Sequence, residues 1–244
     1  TGKNGSHIPT TAACDQCLGL AGDDAARVRV VHQTNRGLPA ARNAGAELAR
    51  QQGWADYLIF LDADDYIEPA FTCELHRRIV EEERGQQATD AARGNLVSHA
   101  YCQERLVDRA SGIWTVPDWD PMLLLVTNLH PVTCLVKRSC FEAAGGFDDS
   151  MRLGYEDWEL WLRFASRGWR GVRVREPLFN WRRHSDITMV IEAVARHEQL
   201  FASIQAKHGE LYRRHADALV RLSNTLLRKG DANWLDENHD AIVV

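Results

Sequence analysis

The hydrophobic positions in the first part of the chain alternate between strand-like runs and helical stripes. The β-branched run at Val28, Val30 and Val31 predicts a short strand. A helix is predicted over residues 39–50, where Pro39 suits the first turn. The apolar run at residues 57–61 has no polar alternation, which is typical of a strand buried on both faces of a parallel sheet. Strands that alternate with helices indicate an α/β fold.

The second part of the chain continues this pattern and then changes character. Further predicted elements are a helix at residues 68–83 and strands at residues 96–101, 132–136, 172–174 and 179–182. A helical stripe over residues 156–166 is formed by Trp158, Trp161, Leu162 and Ala165. Apolar residues recur at helical spacing over residues 191–227, which predicts one broken or two consecutive helices. We therefore expect one domain over residues 1–188 and a helical extension over residues 189–244.

Composition narrows the class of protein without deciding its function. A chain of 244 residues can bury one full-sized core, and its net charge of −5 leaves no basic footprint for nucleic acid. Neither a membrane-spanning run nor a signal-peptide pattern is present, so we expect a cytoplasmic protein. Its six cysteines, including the lone pair Cys14 and Cys17, are expected to be reduced packing residues.

An acidic cluster follows directly after the apolar run at residues 57–61. It contains Asp62, Asp64 and Asp65, with Ala63 as the spacer. In an open α/β sheet, the carboxyl ends of the strands open into the ligand crevice. Mg²⁺ and Mn²⁺ prefer oxygen ligands, typically one or two carboxylates together with substrate phosphates. The cluster therefore favours a metal site, and the alternative is an Asp-rich turn that caps the next helix.

A basic residue, Arg42, lies in the first turn of the helix predicted over residues 39–50. A helix N-terminus already carries partial positive charge, so a cation there favours a nearby anion. That anion could be a diphosphate, one of the aspartates at residues 62–65, or both. A solvent-facing arginine remains the alternative.

Two further groups of residues carry weaker signals. Glu156 and Asp157 begin the helix predicted over residues 156–166, where acids are ordinary because they complement the helix dipole. Residues 181–184 place a histidine, His184, after a short strand. This histidine could bind a metal ion or a phosphate, or belong to a solvated basic turn.

Taken in order, five motifs resemble those of glycosyltransferase family 2 over residues 27–186. They are N-R-G-L-P-A-A-R-N at residues 35–43, F-L-D-A-D-D at 60–65, G-G-F-D at 145–148, Y-E-D-W-E-L-W-L-R at 155–163 and W-R-R-H at 181–184. The resemblance implies an α/β GT-A fold with a mostly parallel sheet flanked by helices. It also implies that the chain starts beyond the first strands, which in that family hold the nucleobase.

The resemblance further implies an inverting, metal-dependent transfer of a sugar to a hydroxyl acceptor. The donor would be a UDP-, GDP- or dTDP-sugar, and the cofactor Mn²⁺ or Mg²⁺. By resemblance, Asp157 would be the general base and Glu156 would line the acceptor side. Metal ligands would be Asp62, Asp64 and His184. Donor contacts would come from Asn35, Gly37, Arg42, Asn43, Asp62, Ala63 and Arg183.

Other functions are compatible with parts of the pattern. One is a non-catalytic GT-A-like remnant that acts as a binding module through its helical extension. Another is a nucleotidyltransferase, against which the acidic pair at residues 156–157 argues. The apolar stripe of the extension most often indicates a helix that packs on the domain, and oligomerisation or peripheral association with a membrane are the alternatives.

Overall fold

The computed structural model describes residues 29–53, 55–85, 95–183, 193 and 195–221. The helices are α1 (Leu38–Gln51), α2 (Phe71–Gly85), α3 (Arg138–Ala144), α4 (Glu156–Ser166), α5 (His197–Lys207) and α6 (Gly209–Arg214). The strands are β1 (Tyr57–Leu58), β2 (Tyr66–Ile67), β3 (Val97–Asp108), β4 (Gly112–Trp114), β5 (Leu135–Lys137) and β6 (Arg170–Arg183). A 3₁₀ turn, Leu123–Leu125, precedes β5.

The sheet is mixed, which confirms the α/β class but not the mostly parallel sheet. Its strand order is β1-β5-β3-β6-β2, with β4 added to β3. Among the described strands, β3 and β6 form the parallel pair, and the other four pairings are antiparallel. The prediction was wrong because an apolar run indicates burial and leaves the direction of the partner strand unspecified. Strand β4 returns to β3 through a short turn, whereas β1, β2 and β5 pair antiparallel with strands that are distant in the sequence.

Residues 57–60 of the apolar run pack on both faces, as the sequence predicts, whereas Leu61 is 42% exposed. Leu58 and Phe60 join one hydrophobic cluster, whereas Tyr57 and Ile59 pack against the other. Only its first two residues form a strand, because β5, its antiparallel partner, is itself three residues long. Residues 62–65 therefore follow a short antiparallel strand and not a long parallel one.

Several predicted boundaries shift. Residues 29–31 are not in strand conformation, since β-branched residues form a strand only where a partner supplies the ladder. The strands predicted at residues 172–174 and 179–182 are one strand, β6, whose register against β3 shifts near Gln103. Residues 141–147 contain the end of α3, which Gly145 terminates in a left-handed conformation with φ of 88°.

Helix α4 is the centre of the larger core. Its predicted stripe is buried, with Trp158 at 2% exposure and Trp161 at 0%. Helices α5 and α6 belong to the predicted extension, and Phe201 of α5 stacks on Trp158 with ring centroids 5.4 Å apart. The described part of the extension therefore packs on the domain.

The chain divides into two compact units, Thr1–Asn35 and Arg36–Val244. All elements named above belong to the second unit, and the boundary expected after residue 188 stays a prediction. No described helix combines the length and the apolar character that a membrane span requires.

Candidate active site

A cavity of about 500 Å³ opens where β3, β6 and the first turns of α1 and α4 meet. Its walls also include residues 114–117 and 127–133. The volume is typical of small-molecule sites, which combine apolar walls with a few convergent polar groups. The polar groups here include Arg42, Asp62, Glu104, Glu156 and Asp157.

Arg42 connects two acidic segments that are distant in sequence. Its guanidinium donates to Asp62 Oδ1 at 2.7 Å and to Glu156 Oε1 at 2.6 Å. The Arg42 side chain is 8% exposed. Burial works to lower the pKa of Arg42, but the carboxylates of Asp62 and Glu156 outweigh it and raise the pKa above its usual value. Arg42 is therefore charged and inward-facing, which excludes the solvent-facing alternative.

The acidic cluster forms a tight turn that is fixed to β6. The Asp65 N–H donates to the Asp62 carbonyl at 3.1 Å, which closes the turn. Arg182 holds it from the other side, because its N–H donates to Asp65 Oδ1 at 2.8 Å and its Nε to the Asp64 carbonyl at 2.7 Å. Sequence reasoning missed this role of Arg182, although it lies within the W-R-R-H motif.

The turn presents oxygen ligands that fit a hard divalent cation. The Asp62 side chain is 41% exposed, and its Oδ1 alone is engaged by Arg42. Asp64 is exposed at the corner of the turn. No group of three His, Cys, Asp or Glu residues is clustered for metal binding within the described ranges. A Mg²⁺ or Mn²⁺ site needs only one or two carboxylates when substrate phosphates complete the shell, so the donor set fits. His184 lies outside the described residues.

Asp157 lies at the start of α4 with both carboxyl oxygens engaged. The Trp158 N–H donates to Oδ1 at 2.6 Å, and Asn128 Nδ2 donates to Oδ2 at 3.1 Å. Burial and, after it, the neighbouring Glu156 carboxylate raise the pKa of Asp157 to about 7, against the opposing effect of these hydrogen bonds and Arg42. A carboxylate with this pKa can hold a proton near neutral pH, as a general base must.

The turn before α4 is conformationally strained. Tyr155, a non-glycine residue, has a left-handed φ of 64°, and Gly154 before it has φ of 118°. Backbone strain of this kind tends to be retained at functional sites, where the surrounding structure holds it. Here it turns the chain so that the acidic pair of α4 reaches the cavity.

Two cavity residues had no clear signal in the sequence. Asn128 comes from an irregular segment whose position only the tertiary structure sets. Glu104 lies in β3 beyond the strand predicted at residues 96–101, and it is 4% exposed. Burial, together with the acidic groups of Asp65 and Asp157, raises the pKa of Glu104 to about 8, against the opposing charge of Arg183.

Three of the remaining predicted donor contacts, Gly37, Ala63 and Arg183, are not among the residues that line the cavity. Gly37, with φ of 96°, precedes α1, and an added Cβ would lie 3.3 Å from Arg152 Cγ. Ala63 is exposed in the acidic turn. Arg183 ends β6 with its Cζ 4.3 Å from the ring centroid of Trp181. Asn35 belongs to the other compact unit. Their roles towards a donor stay predictions.

Asn43 has a structural contact that the sequence did not indicate. Its Nδ2 donates to the Phe147 carbonyl and to Asp149 Oδ1, each at 2.8 Å, and its Oδ1 accepts from the Phe147 N–H at 2.8 Å. The side chain thus fastens α1 to the G-G-F-D segment. Glu156 accepts a hydrogen bond from Arg42, the same side chain that holds Asp62. Its predicted role on the acceptor side stays a prediction.

Comparison with known sequences decides the family. The sequence model described as Glycosyl transferase family 2 matches residues 4–143, which is more than half of the chain. This chain belongs to glycosyl transferase family 2. The family 2 chain is 42% identical over 192 residues to EpsJ of Bacillus subtilis (strain 168), named an uncharacterized glycosyltransferase, covering 75% of this chain and 53% of EpsJ. It is 44% identical over 57 residues to EpsH of the same organism, covering 23% of this chain and 15% of EpsH. The family 2 chain thus spans about half the length of EpsJ.

A solved structure supports the fold of this family 2 chain. The crystal structure of a portion of S. aureus TarS in complex with UDP-GlcNAc matches with a TM-score of 0.50 at 12% identity. The match covers 80% of this chain and 60% of that one. At this identity the likeness concerns the fold, and with the family assignment it confirms the GT-A α/β fold.

Proposed function

We propose that this chain carries the active site of an inverting, metal-dependent glycosyltransferase, which moves a sugar from a nucleotide-sugar donor to a hydroxyl acceptor. The single observation that carries the proposal is the double ion pair of Arg42 with Asp62 and Glu156, which brings the acidic turn and the start of α4 into one cavity. Family membership supports the same reaction class.

The donor diphosphate belongs at the end of the cavity formed by Arg42 and the acidic turn. Asp62 and Asp64 would hold Mg²⁺ or Mn²⁺, and a bound cation would supply neutralisation of the negative charge that grows on the leaving diphosphate. Arg42 supports the turn by holding Asp62, and it adds positive charge beside the diphosphate. The Arg182 hydrogen bonds keep the turn in place without reorganisation during the reaction.

Asp157 is the proposed general base. The acceptor oxygen attacks the anomeric carbon as the bond from that carbon to the diphosphate breaks, and the hydroxyl proton passes to the Asp157 carboxylate. A single displacement inverts the configuration at that carbon. Asn128 holds one carboxyl oxygen, so it orients the base and favours its ionised form.

The donor is proposed to be a UDP-, GDP- or dTDP-sugar. The TarS structure that shares this fold contains UDP-GlcNAc, which makes that molecule the first donor to test. EpsJ is named a glycosyltransferase, which supports the class of reaction and leaves the sugar open.

Release of UDP from UDP-GlcNAc, measured with MnCl₂ and a pool of small hydroxyl acceptors, tests this function. We expect UDP release in wild type and in Asp217→Asn, a control at an exposed aspartate of the extension. We expect at least a 100-fold loss in Asp157→Asn, as removal of a general base typically causes. Equal rates in wild type and Asp157→Asn would contradict the role of the base. Pyrophosphate release from UTP would instead indicate a nucleotidyltransferase.

A further inference from the structure

One buried carboxyl group of the cavity is unused by the proposed reaction. Glu104 of β3 is 4% exposed and lines the cavity. Across the described ranges of the chain, no hydrogen bond to its carboxyl group is found, and the charges that act on it are those of the acids Asp65 and Asp157, with Arg183 opposing them. A buried polar group without a partner destabilises the fold, so its retention in a ligand cavity indicates a group that is satisfied by ligand.

Two tryptophans stand beside this carboxyl group. Trp114 of β4 is the direct cross-strand partner of Glu104, and Trp181 of β6 lies beside it with ring centroids 5.7 Å apart. Both rings line the cavity and are only partly buried. The planes are inclined by 53°, so the rings form an angled apolar wall. Aromatic faces carry partial negative charge that attracts the C–H groups of a ligand laid against them.

Asp157 lines the same cavity as this wall and as the Arg42 ion pairs. Its charge also acts on both Arg42 and Glu104. The base therefore faces a space that the phosphate end and the tryptophan wall share. Because a base must reach the hydroxyl that it deprotonates, the acceptor belongs on the side of the wall.

We propose that Glu104, Trp114 and Trp181 form the acceptor subsite and that the unit bound there is a sugar ring. The inference rests on the proposed function and adds the chemical class of its acceptor. A pyranose has an apolar C–H face that stacks on an indole, and hydroxyl groups at its edge that bond a carboxyl group. Burial favours the protonated form of Glu104, which can donate one hydrogen bond and accept others from such hydroxyls.

Saturation-transfer NMR with methyl β-glycosides of glucose, galactose, mannose and N-acetylglucosamine tests the subsite, in the presence of UDP and MnCl₂. At least one glycoside should receive saturation at its ring C–H protons. Trp114→Ala and Trp181→Ala should each raise the Kd of that glycoside about tenfold, the scale of one lost aromatic contact. Trp169→Ala is the matched control, because Trp169 packs against Phe164 and is not a cavity residue.

Substitutions of Glu104 separate recognition from packing. Glu104→Gln keeps the shape and hydrogen-bonding capacity, so we expect it to bind the glycoside within about threefold of wild type. Glu104→Leu should fold at least as stably, since it removes an unpartnered buried acid, and should still lose about tenfold in glycoside affinity. Glycoside affinity in Glu104→Leu equal to that of wild type would show that the carboxyl group does not bind the sugar.

Binding of UDP, measured by calorimetry on the same samples, distinguishes the two proposals. If UDP binds while no glycoside receives saturation, or while both tryptophan variants bind glycosides as wild type does, the acceptor subsite is wrong and the donor site stands. If glycosides bind through the two tryptophans while UDP does not bind, the subsite is supported and the transferase function fails. If neither ligand binds, both proposals are contradicted.

Discussion

Arg42 and Asp62 are joined by a 2.7 Å hydrogen bond between the N-terminal part of α1 and the acidic turn that follows β1. Arg42 uses a second nitrogen to hold Glu156, whose side chain is 9% exposed. The two pairs make three separate segments depend on one guanidinium. Because both members of the Glu156 pair are buried whereas the Asp62 side chain is 41% exposed, the two bonds contribute differently to stability.

Removing Arg42 should therefore destabilise the fold through Glu156 more than through Asp62. We expect Arg42→Met to lower the free energy of unfolding by about 3 kcal/mol, because it leaves a buried carboxylate without its partner. We expect Asp62→Asn to lower it by less than about 1 kcal/mol, because the Asp62 carboxylate is partly exposed and Arg42 keeps Glu156 as its second partner. Urea unfolding measures both. Equal losses in the two variants would contradict this division.

The pH dependence of transfer should follow Asp157. A base acts only when deprotonated, so the rate should rise as the pH increases through about 7, the raised pKa of Asp157, and then level off. Asn128→Ala removes a hydrogen bond that lowers this pKa, so the rising limb should shift to higher pH. The measurement is kcat for UDP release from pH 5 to 9. An unshifted limb in Asn128→Ala would mean that Asn128 does not position the base.

Glu104 should make stability depend on pH. Its pKa is raised in the folded state to about 8, so folded protein holds this proton more tightly than unfolded protein does. The contribution of Glu104 to the free energy of unfolding is fully present below the unfolded pKa of about 4 and is lost as the pH rises through the folded pKa. Glu104→Gln should therefore be more stable than wild type by at least about 1 kcal/mol at pH 8, with the difference vanishing near pH 4. Urea unfolding at both pH values checks this, and a constant difference would contradict it.

Two glycines should respond to alanine in opposite directions. Gly146 has φ of 73°, and an added Cβ would lie 2.7 Å from Asn43 Oδ1, so Gly146→Ala should destabilise by more than about 1 kcal/mol. Gly45 lies inside α1 with nothing within 4 Å of an added Cβ, so Gly45→Ala should stabilise by about 0.5–1 kcal/mol. Thermal unfolding compares the pair. If Gly146→Ala left the stability unchanged, the contact of Asn43 with the G-G-F-D segment would be able to shift at little cost in free energy.

The sequence predicted the parts of the site that local patterns define. The apolar run at residues 57–61 predicted where the acidic cluster lies, and the helical stripe of α4 predicted where the acidic pair lies. Residues of the cluster and of the pair line one cavity. The pairing of Arg42 with Asp62 was one of the alternatives left open, because spacing alone does not tell a ligand from a partner side chain.

The rest depends on contacts between distant segments. Glu104 resembles any polar residue in a strand until β4 and β6 surround it, and Asn128 lies in an irregular segment without periodicity. Arg182 gains its role only because β6 runs beside the acidic turn. The predicted strand direction was wrong for the same reason, because an apolar run indicates that a strand is buried and does not indicate which strand pairs with it.

The most direct test of the central claim is a calorimetric titration of UDP with and without MnCl₂. We expect metal-dependent binding in wild type, in the exposed control Asp217→Asn, and in Asp157→Asn, which lacks only the base. We expect that binding to be lost in Asp62→Asn and Asp64→Asn. Metal-dependent affinity that is unchanged in both variants of the acidic turn would contradict the account.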